Sequence, residues 1–383
     1  MPDGAPNDRK RAFAVRPLDF RKRIEQERIL FTMKIQEYAE THSLPVSEDG
    51  FVFLDCRTAP ISVTGLPWMK ENNNFHRLPD RLADRYSDGV AVLHRNTAGA
   101  SLRFRTDSGQ LAFRVEAADV DEDTNMSRDG KMGLDVYYGT GSEMRSAGIV
   151  RVPEKGLSYS GMVWLPGGMR EITVYLPLYA SIERLEVGFR PDSVVEEAAP
   201  FAVPLPVCFY GSSITQGGSA SRAGNCYQAM LSRTLGFEVV NFGFSGNAKG
   251  EELMAELIGS VPQAALVLAY DHNAPTPQFL ADTHEEFFRT YRRYQPETPV
   301  IFLSRANLDG GGHWKRFREV IETTYVHAVE AGDRNVRFLD GSRIYGETFR
   351  DACTVDGCHP SDLGFFRIYE ALLPILKEVL SLR

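Results

Sequence analysis

Apolar residues recur with three different periods along the chain. Between residues 17 and 41, Phe20, Ile24, Phe31, Ile35 and Tyr38 are spaced by three, four or seven, with no Gly and no Pro after Pro17. That spacing predicts one amphipathic helix. Its other faces carry Arg21, Lys22, Arg23, Glu25, Glu27 and Arg28, a solvated surface, so packing or oligomer contact is its expected role. From about residue 47 to 190 the period drops to two, as in Leu102 and Phe104, then Leu111, Phe113 and Val115, then Ile172, Val174 and Leu176. Alternation of this kind predicts half-buried strands. Asp107-Ser108-Gly109 supplies a turn between two of them, and Pro166-Gly167-Gly168 precedes another. Short punctuated strands without a long helix predict an all-β sandwich.

The stretch from Pro191 to Pro206 is rich in Pro, Ala and acidic residues and reads as an interdomain linker. Beyond it, short apolar runs alternate with helical stretches. The runs are Val207 to Tyr210, Glu238 to Phe242, Ala264 to Tyr270, Val300 to Leu303 and Val336 to Leu339. Such alternation predicts a parallel sheet covered on both faces, with ligands bound at the carboxyl ends of its strands. The expected organisation is therefore a helical extension over residues 1–46, a β-sandwich over 47–195 and an α/β domain over 201–383.

With 383 residues the chain exceeds one ordinary core, in keeping with two domains. Hydrophobic residues at 43% and charged residues at 25% are ordinary globular usage. A net charge of -8 argues against nucleic acid and anionic membrane as partners. No apolar run reaches membrane-spanning length, and Met1 to Lys10 are polar with no apolar segment following, so a cytoplasmic location is expected. Cys56, Cys208, Cys226, Cys353 and Cys358 form an odd set without repeated C-x-x-C spacing, which reads as reduced thiols. Cys353 and Cys358 are close enough in sequence to form a disulfide, but two separate thiols are the expected state.

Two stretches carry candidate chemistry. The first apolar run of the α/β half ends in Gly211-Ser212-Ser213-Ile214-Thr215-Gln216-Gly217-Gly218. This places a serine just past a strand end, where its hydroxyl faces a crevice and its N–H can meet an anion. Alone, such a turn equally describes a plain tight turn or a phosphate cradle. Near the end of the chain, Asp356-Gly357-Cys358-His359-Pro360 places an Asp three residues before a His. The Asp can hold one imidazole nitrogen and leave the other to take a serine proton. The same residues also fit a helix start, with Pro360 in a first turn and Asp362 at its positive end.

Together these blocks resemble the SGNH (GDSL-like) hydrolase superfamily. Gly211-Ser212-Ser213-Ile214 stands where the family has Gly-Asp-Ser-Leu, and the resemblance makes Ser213 the nucleophile, with Asp356 and His359 as its partners. Asn241-Phe242-Gly243-Phe244-Ser245-Gly246-Asn247 looks like the second block, with Gly246 as oxyanion donor. Tyr270-Asp271-His272-Asn273-Ala274-Pro275 looks like the third, with Asn273 as donor. The oxyanion hole implied is Ser213, Gly246 and Asn273. Ser212 replaces the first block's Asp, and Asp271 and Ala274 replace the third block's Gly and Asp, departures from the lipase-like branches. Gly133-Leu134-Asp135-Val136-Tyr137 resembles the G-x-D-L-Y signature of a β-rich domain, jelly-roll-like, that precedes some of these esterases. The resemblance implies a flavodoxin-like parallel sheet in the α/β half.

The reaction so implied is ester hydrolysis through an acyl-enzyme, without cofactor or metal. A metal site of Cys353, Cys358 and His359 would compete with the relay and has no clear fourth ligand. His272 either lines the pocket or is an ordinary loop histidine. Trp68, Phe75 and His76, between Gly65 and Pro79, either complete the pocket or pack as core and loop anchors. His42, His76, His94, His284, His313 and His327 lack matching neighbours and read as surface or packing residues. The absence of an amphipathic lid or long apolar run beside the site disfavours long-chain lipids, and a β-sandwich partner, which often serves sugar recognition in similar enzymes, implies a small acyl group, acetyl above all, on an oligosaccharide or other small-molecule ester. A short-chain esterase or thioesterase of small metabolites, and a carbohydrate-binding protein with a relic hydrolase domain, are the alternatives.

Overall fold

The computed structural model describes residues 32–121, 125–306 and 312–382. Phe20, Ile24 and Phe31 of the expected first helix lie outside them. Among the described residues the chain forms sheets of seven and four strands, and a five-stranded parallel sheet. The first two enclose one core. Leu102 and Phe104 enter it from Ser101–Thr106, and Leu111, Phe113 and Val115 from Gln110–Val120. Ser101–Thr106 pairs with Arg170–Tyr175, whereas Gln110–Val120 pairs with Ala180–Phe189 and Ser158–Trp164. The Asp107-Ser108-Gly109 turn thus passes from one sheet to the other, a sandwich corner and not a hairpin.

Two elements differ from the reading of the sequence. Thr32–Lys34 is a strand, and the helix runs only over Ile35–His42. Met33 is buried between exposed neighbours, the period of a strand, and pairs with Val195. That partner lies in the second difference. Within the expected linker, Val194–Glu196 is a strand between Thr32–Lys34 and Ser101–Thr106. Its acidic composition concealed it, because the Glu196 carboxylate lies 2.8 Å from Arg105.

The parallel sheet has Val207–Gly211 between Val239–Gly243 and Ala265–Ala269, followed by Val300–Leu303 and Val336–Leu339. This is the flavodoxin-like order, whose reversal beside the first strand opens a crevice at the carboxyl ends. Successive side chains point to opposite faces. Val207 and Phe209 pack with Leu231, Phe365 and Leu372 on one face, and Cys208 and Tyr210 with Leu257, Phe287 and Phe317 on the other. Both faces are covered, which is why these strands read as continuous apolar runs. No helix among the described residues is long and apolar enough to cross a membrane.

The Gly133 to Tyr137 motif holds the two halves together. Asp135 is fully buried, accepts 2.9 Å from the Gly224 N–H and lies 3.2 Å from the Arg222 guanidinium. Tyr137 lies under the Arg222 and Arg233 guanidinium groups. Burial pushes the Asp135 carboxyl up to about 6, against the pull of Arg222 and the Gly224 N–H. A carboxyl that holds its proton more tightly when folded favours folding most at low pH, and loses that contribution as pH rises through its folded value. Asp135→Asn is therefore expected to gain stability relative to the parent chain between about pH 4 and pH 6, as measured by urea unfolding. A difference that stays flat across that range would refute the coupling.

Candidate active site

Gly211 ends the first strand of the parallel sheet where no side chain fits. A Cβ there would lie 2.2 Å from Thr215 Oγ1 and 2.5 Å from the Ala269 carbonyl. The chain turns at once into the short helix Ser213–Gln216, capped by Ser212, whose hydroxyl accepts 3.2 Å from the Ile214 N–H. Ser is a good cap, so Ser212 serves the turn. Ser213 thereby sits past the strand end, beside the crevice.

The second part of the site is a tight loop. Val355 N–H bonds the His359 carbonyl at 2.9 Å and Ser361 N–H the Cys353 carbonyl at 2.9 Å, so Asp356 and His359 face the same way. Pro360 lies just before the closing helix Asp362–Val379, whose cap is Ser361, so it stands outside the first helical turn where the sequence placed it. Asp362 is in that turn, as expected. His359 Nδ1 lies 2.7 Å from Asp356 Oδ2 and its Nε2 lies 2.9 Å from Ser213 Oγ. With Nδ1 donating to the carboxylate, Nε2 is left to accept the serine proton. Burial alone would raise the Asp356 carboxyl. The hydrogen bonds from the His359 ring and from the His359 and Cys358 N–H groups outweigh it and bring it down to about 2. Asp356 is therefore charged throughout the neutral range.

The expected oxyanion donors lie on loops that are tied to one another. Asn273 Nδ2 donates to the Phe244 carbonyl at 3.0 Å, and Ser245 N–H donates to Gln216 Oε1 at 3.0 Å. Gly246 has φ of 67°, a left-handed turn that glycine adopts freely. Among the described residues the N–H groups of Ser213 and Gly246 have no intramolecular partner.

His272 is half-buried, and burial, the Arg305 charge and His359 hold it well below the usual imidazole range. Its Nδ1 lies 3.6 Å from Cys358 Sγ. It borders a cavity of about 20 Å³ together with Ser212, Ile214, Leu303 and Arg305. Cys353 and Cys358 are separate free thiols, the former against the Phe349 carbonyl. Trp68 and Phe75, each 2% exposed, do not line this space. Trp68 packs on Phe242 in one core and Phe75 belongs to the sandwich core, because the apolar stem of the Gly65 to Pro79 stretch plugs both. His76 is bound to Asp80, 2.7 Å away.

The sandwich half reaches the site through residues without a sequence signal. Asn125 Nδ2 donates to Asp356 Oδ2 at 3.1 Å. The Tyr179 hydroxyl donates to the Ser213 carbonyl at 3.3 Å, and Gln216 Nε2 donates to Asn96 Oδ1 at 3.0 Å. An isolated Asn or Tyr in a loop carries no spacing that sets it apart, which is why these were missed.

Comparison with known proteins agrees with this architecture. Residues 205–377 match the GDSL-like lipase/acylhydrolase family, and residues 51–195 match GxDLY, the N-terminus of SGNH-hydrolase-type esterases. No match was found among curated proteins. Among solved structures, a candidate GDSL-like lipase from Bacteroides ovatus is 28% identical with a TM-score of 0.78, over 87% of this chain and 99% of that one. The salicylyl-acyltransferase SsfX3 of a tetracycline biosynthetic pathway is 20% identical with a TM-score of 0.74, over 88% and 100%. A family two carbohydrate esterase from Cellvibrio japonicus shares the fold at 14% identity and a TM-score of 0.53, over 86% and 98%.

Proposed function

The chain belongs to the SGNH (GDSL-like) hydrolase superfamily, and from that premise we propose that it removes small acyl groups, acetyl foremost, from a carbohydrate ester. The observation that carries this reading is the hydrogen-bonded series Ser213–His359–Asp356 at the carboxyl end of the parallel sheet. His359 takes the Ser213 proton as the hydroxyl attacks the ester carbonyl. Asp356 keeps the imidazole in the right tautomer and stabilises the imidazolium. The N–H groups of Ser213 and Gly246 and the Asn273 amide receive the oxyanion, a role in which each donor is worth about 10²–10³ in rate. His359 returns the proton to the departing alcohol, then activates the water that releases the acid.

Two features support the substrate class. The His359 and Asp356 side chains are 30% and 27% exposed, so the site is open to a bulky polar alcohol. The carbohydrate esterase of the same fold favours a sugar for that alcohol. The test is hydrolysis of nitrophenyl acetate, butyrate and octanoate beside acetylated xylo-oligosaccharides. Activity is expected to fall at least about tenfold from acetyl to butyryl, and to be highest on the oligosaccharide. Rising activity toward octanoate would refute the small acyl group, and a preference for the simple acetate would replace the sugar by a small metabolite.

A further inference from the structure

Away from Ser213, the segment between Ser62–Thr64 and Ser101–Thr106 gathers two histidines and an aspartate. We propose that His76, Asp80 and His94 form a site for a divalent transition metal of the zinc type, which revises the expectation of a metal-free protein. The ligand atoms of the three residues lie within 4.8 Å of one another.

His94 carries the argument. It caps the helix Asp88–Leu93 and is 2% exposed. Its Nδ1 lies 3.2 Å from the Val90 carbonyl, which can only accept, so Nδ1 bears the proton. Nε2 then presents a lone pair. It has no hydrogen-bond partner among the described residues, yet it stands 3.5 Å from Asp80 Oδ1. A buried lone pair facing a carboxylate oxygen is an electrostatic conflict that a cation between them resolves.

The surroundings have the form of a metal site. His76 Nδ1 lies 2.7 Å from the same Asp80 Oδ1. The other carboxylate oxygen is held by Asn74 Nδ2, 2.6 Å away, and the second nitrogen of His94 by Val90, the outer contacts that orient metal ligands. Two imidazoles and one carboxylate suit Zn²⁺, with water in the fourth position. The His76 and Asp80 side chains are 24% and 38% exposed, which leaves a path for the ion and that water. Tetrahedral bonds of about 2.0–2.1 Å separate ligand atoms by roughly 3.3 Å, so the His76 to Asp80 contact must widen as the ion replaces the shared proton.

The site would fasten a segment that supports the oxyanion loop. Arg77, next to His76, holds the Asn241 and Gly243 carbonyls at 3.0 and 2.7 Å. Gly89 abuts Asn247, since a Cβ there would come within 2.0 Å of Asn247 Oδ1. These contacts assign the ion a positioning role, outside the chemistry at Ser213.

The test uses the full chain, stripped with EDTA and titrated calorimetrically with Zn²⁺. One ion per chain, proton release on binding and a higher Tm are the expected results. His76→Gln, a change at a part-exposed residue, should weaken binding by more than about 100-fold, beyond the loss of an outer partner. Cys358→Ser should leave it intact. Substituted Co²⁺ should show no thiolate charge-transfer band. Absence of stoichiometric binding, undiminished binding by a folded His76→Gln variant, or a thiolate band placing the ion at Cys358 would each overturn the proposal. None of these outcomes depends on the esterase reading.

Discussion

Ser213→Ala is expected to lower ester hydrolysis by roughly 10⁴–10⁶-fold, the loss found when a nucleophile that acts as one unit with its base is removed. The fold should survive. Ser213 is 8% exposed, and its side chain contributes one hydrogen bond, to His359 Nε2. Loss of one such bond costs about 1 kcal/mol, so Tm should barely move. That contrast between activity and stability separates a nucleophile from a structural serine. If the variant kept more than about a tenth of the activity, another group would be attacking the ester and the assignment to Ser213 would fail.

Arg77→Ala is expected to act in the opposite sense, through stability. Arg77 is 1% exposed, and its guanidinium donates to the carbonyls of Asn96, Leu93, Asn241 and Gly243 at 2.7–3.0 Å. It also lies 4.6 Å over the Phe244 ring. Burial lowers its hold on the proton, but four carbonyl dipoles stabilise the charge that remains. Removing it takes a donor from four buried carbonyls at once, of which Leu93 still accepts from the Asn96 N–H at 3.1 Å. Each costs about 1–3 kcal/mol when left unmade, and water entering the space offsets part, so a loss of about 4 kcal/mol is expected. That is a large share of the roughly 5–15 kcal/mol that holds a domain folded. Urea unfolding measures it. A loss below about 1 kcal/mol would mean that the carbonyls find other donors and that Arg77 does not pin the segment to the sheet.

The parts legible in the sequence were those fixed by local rules. The parallel strands were found because burial on both faces leaves apolar runs such as Val207 to Tyr210, bounded by turn residues. Gly211 to Gly218 and Asp356 to His359 stood out as candidates because their residue types are compressed into a few adjacent positions, and the fold brings Ser213 Oγ and His359 Nε2 within 2.9 Å. What escaped depends on contacts made at long range. Val194–Glu196 is a strand only because Thr32–Lys34 and Ser101–Thr106 flank it. Trp68 and Phe75 looked available to a pocket, but two cores claim them. His94 looked like a packing residue until the turn of Asp88–Leu93 brought it to Asp80. Asn125 and Tyr179 reach the site from the other half of the chain, and their separation from Asp356 and Ser213 hides them. Asp135 lies between these cases. Its motif was visible, whereas its work, accepting the Gly224 N–H across the two halves, needed the fold.

Activation of Ser213 by His359 should give a covalent intermediate on the serine. Reaction with a fluorophosphonate, followed by mass spectrometry of the digested protein, tests it most directly. One label per chain is expected, on Ser213, with hydrolysis lost in proportion and labelling slowed at least about 10³-fold in His359→Ala. Label on another residue, or an unlabelled Ser213 in a chain that still hydrolyses esters, would contradict it.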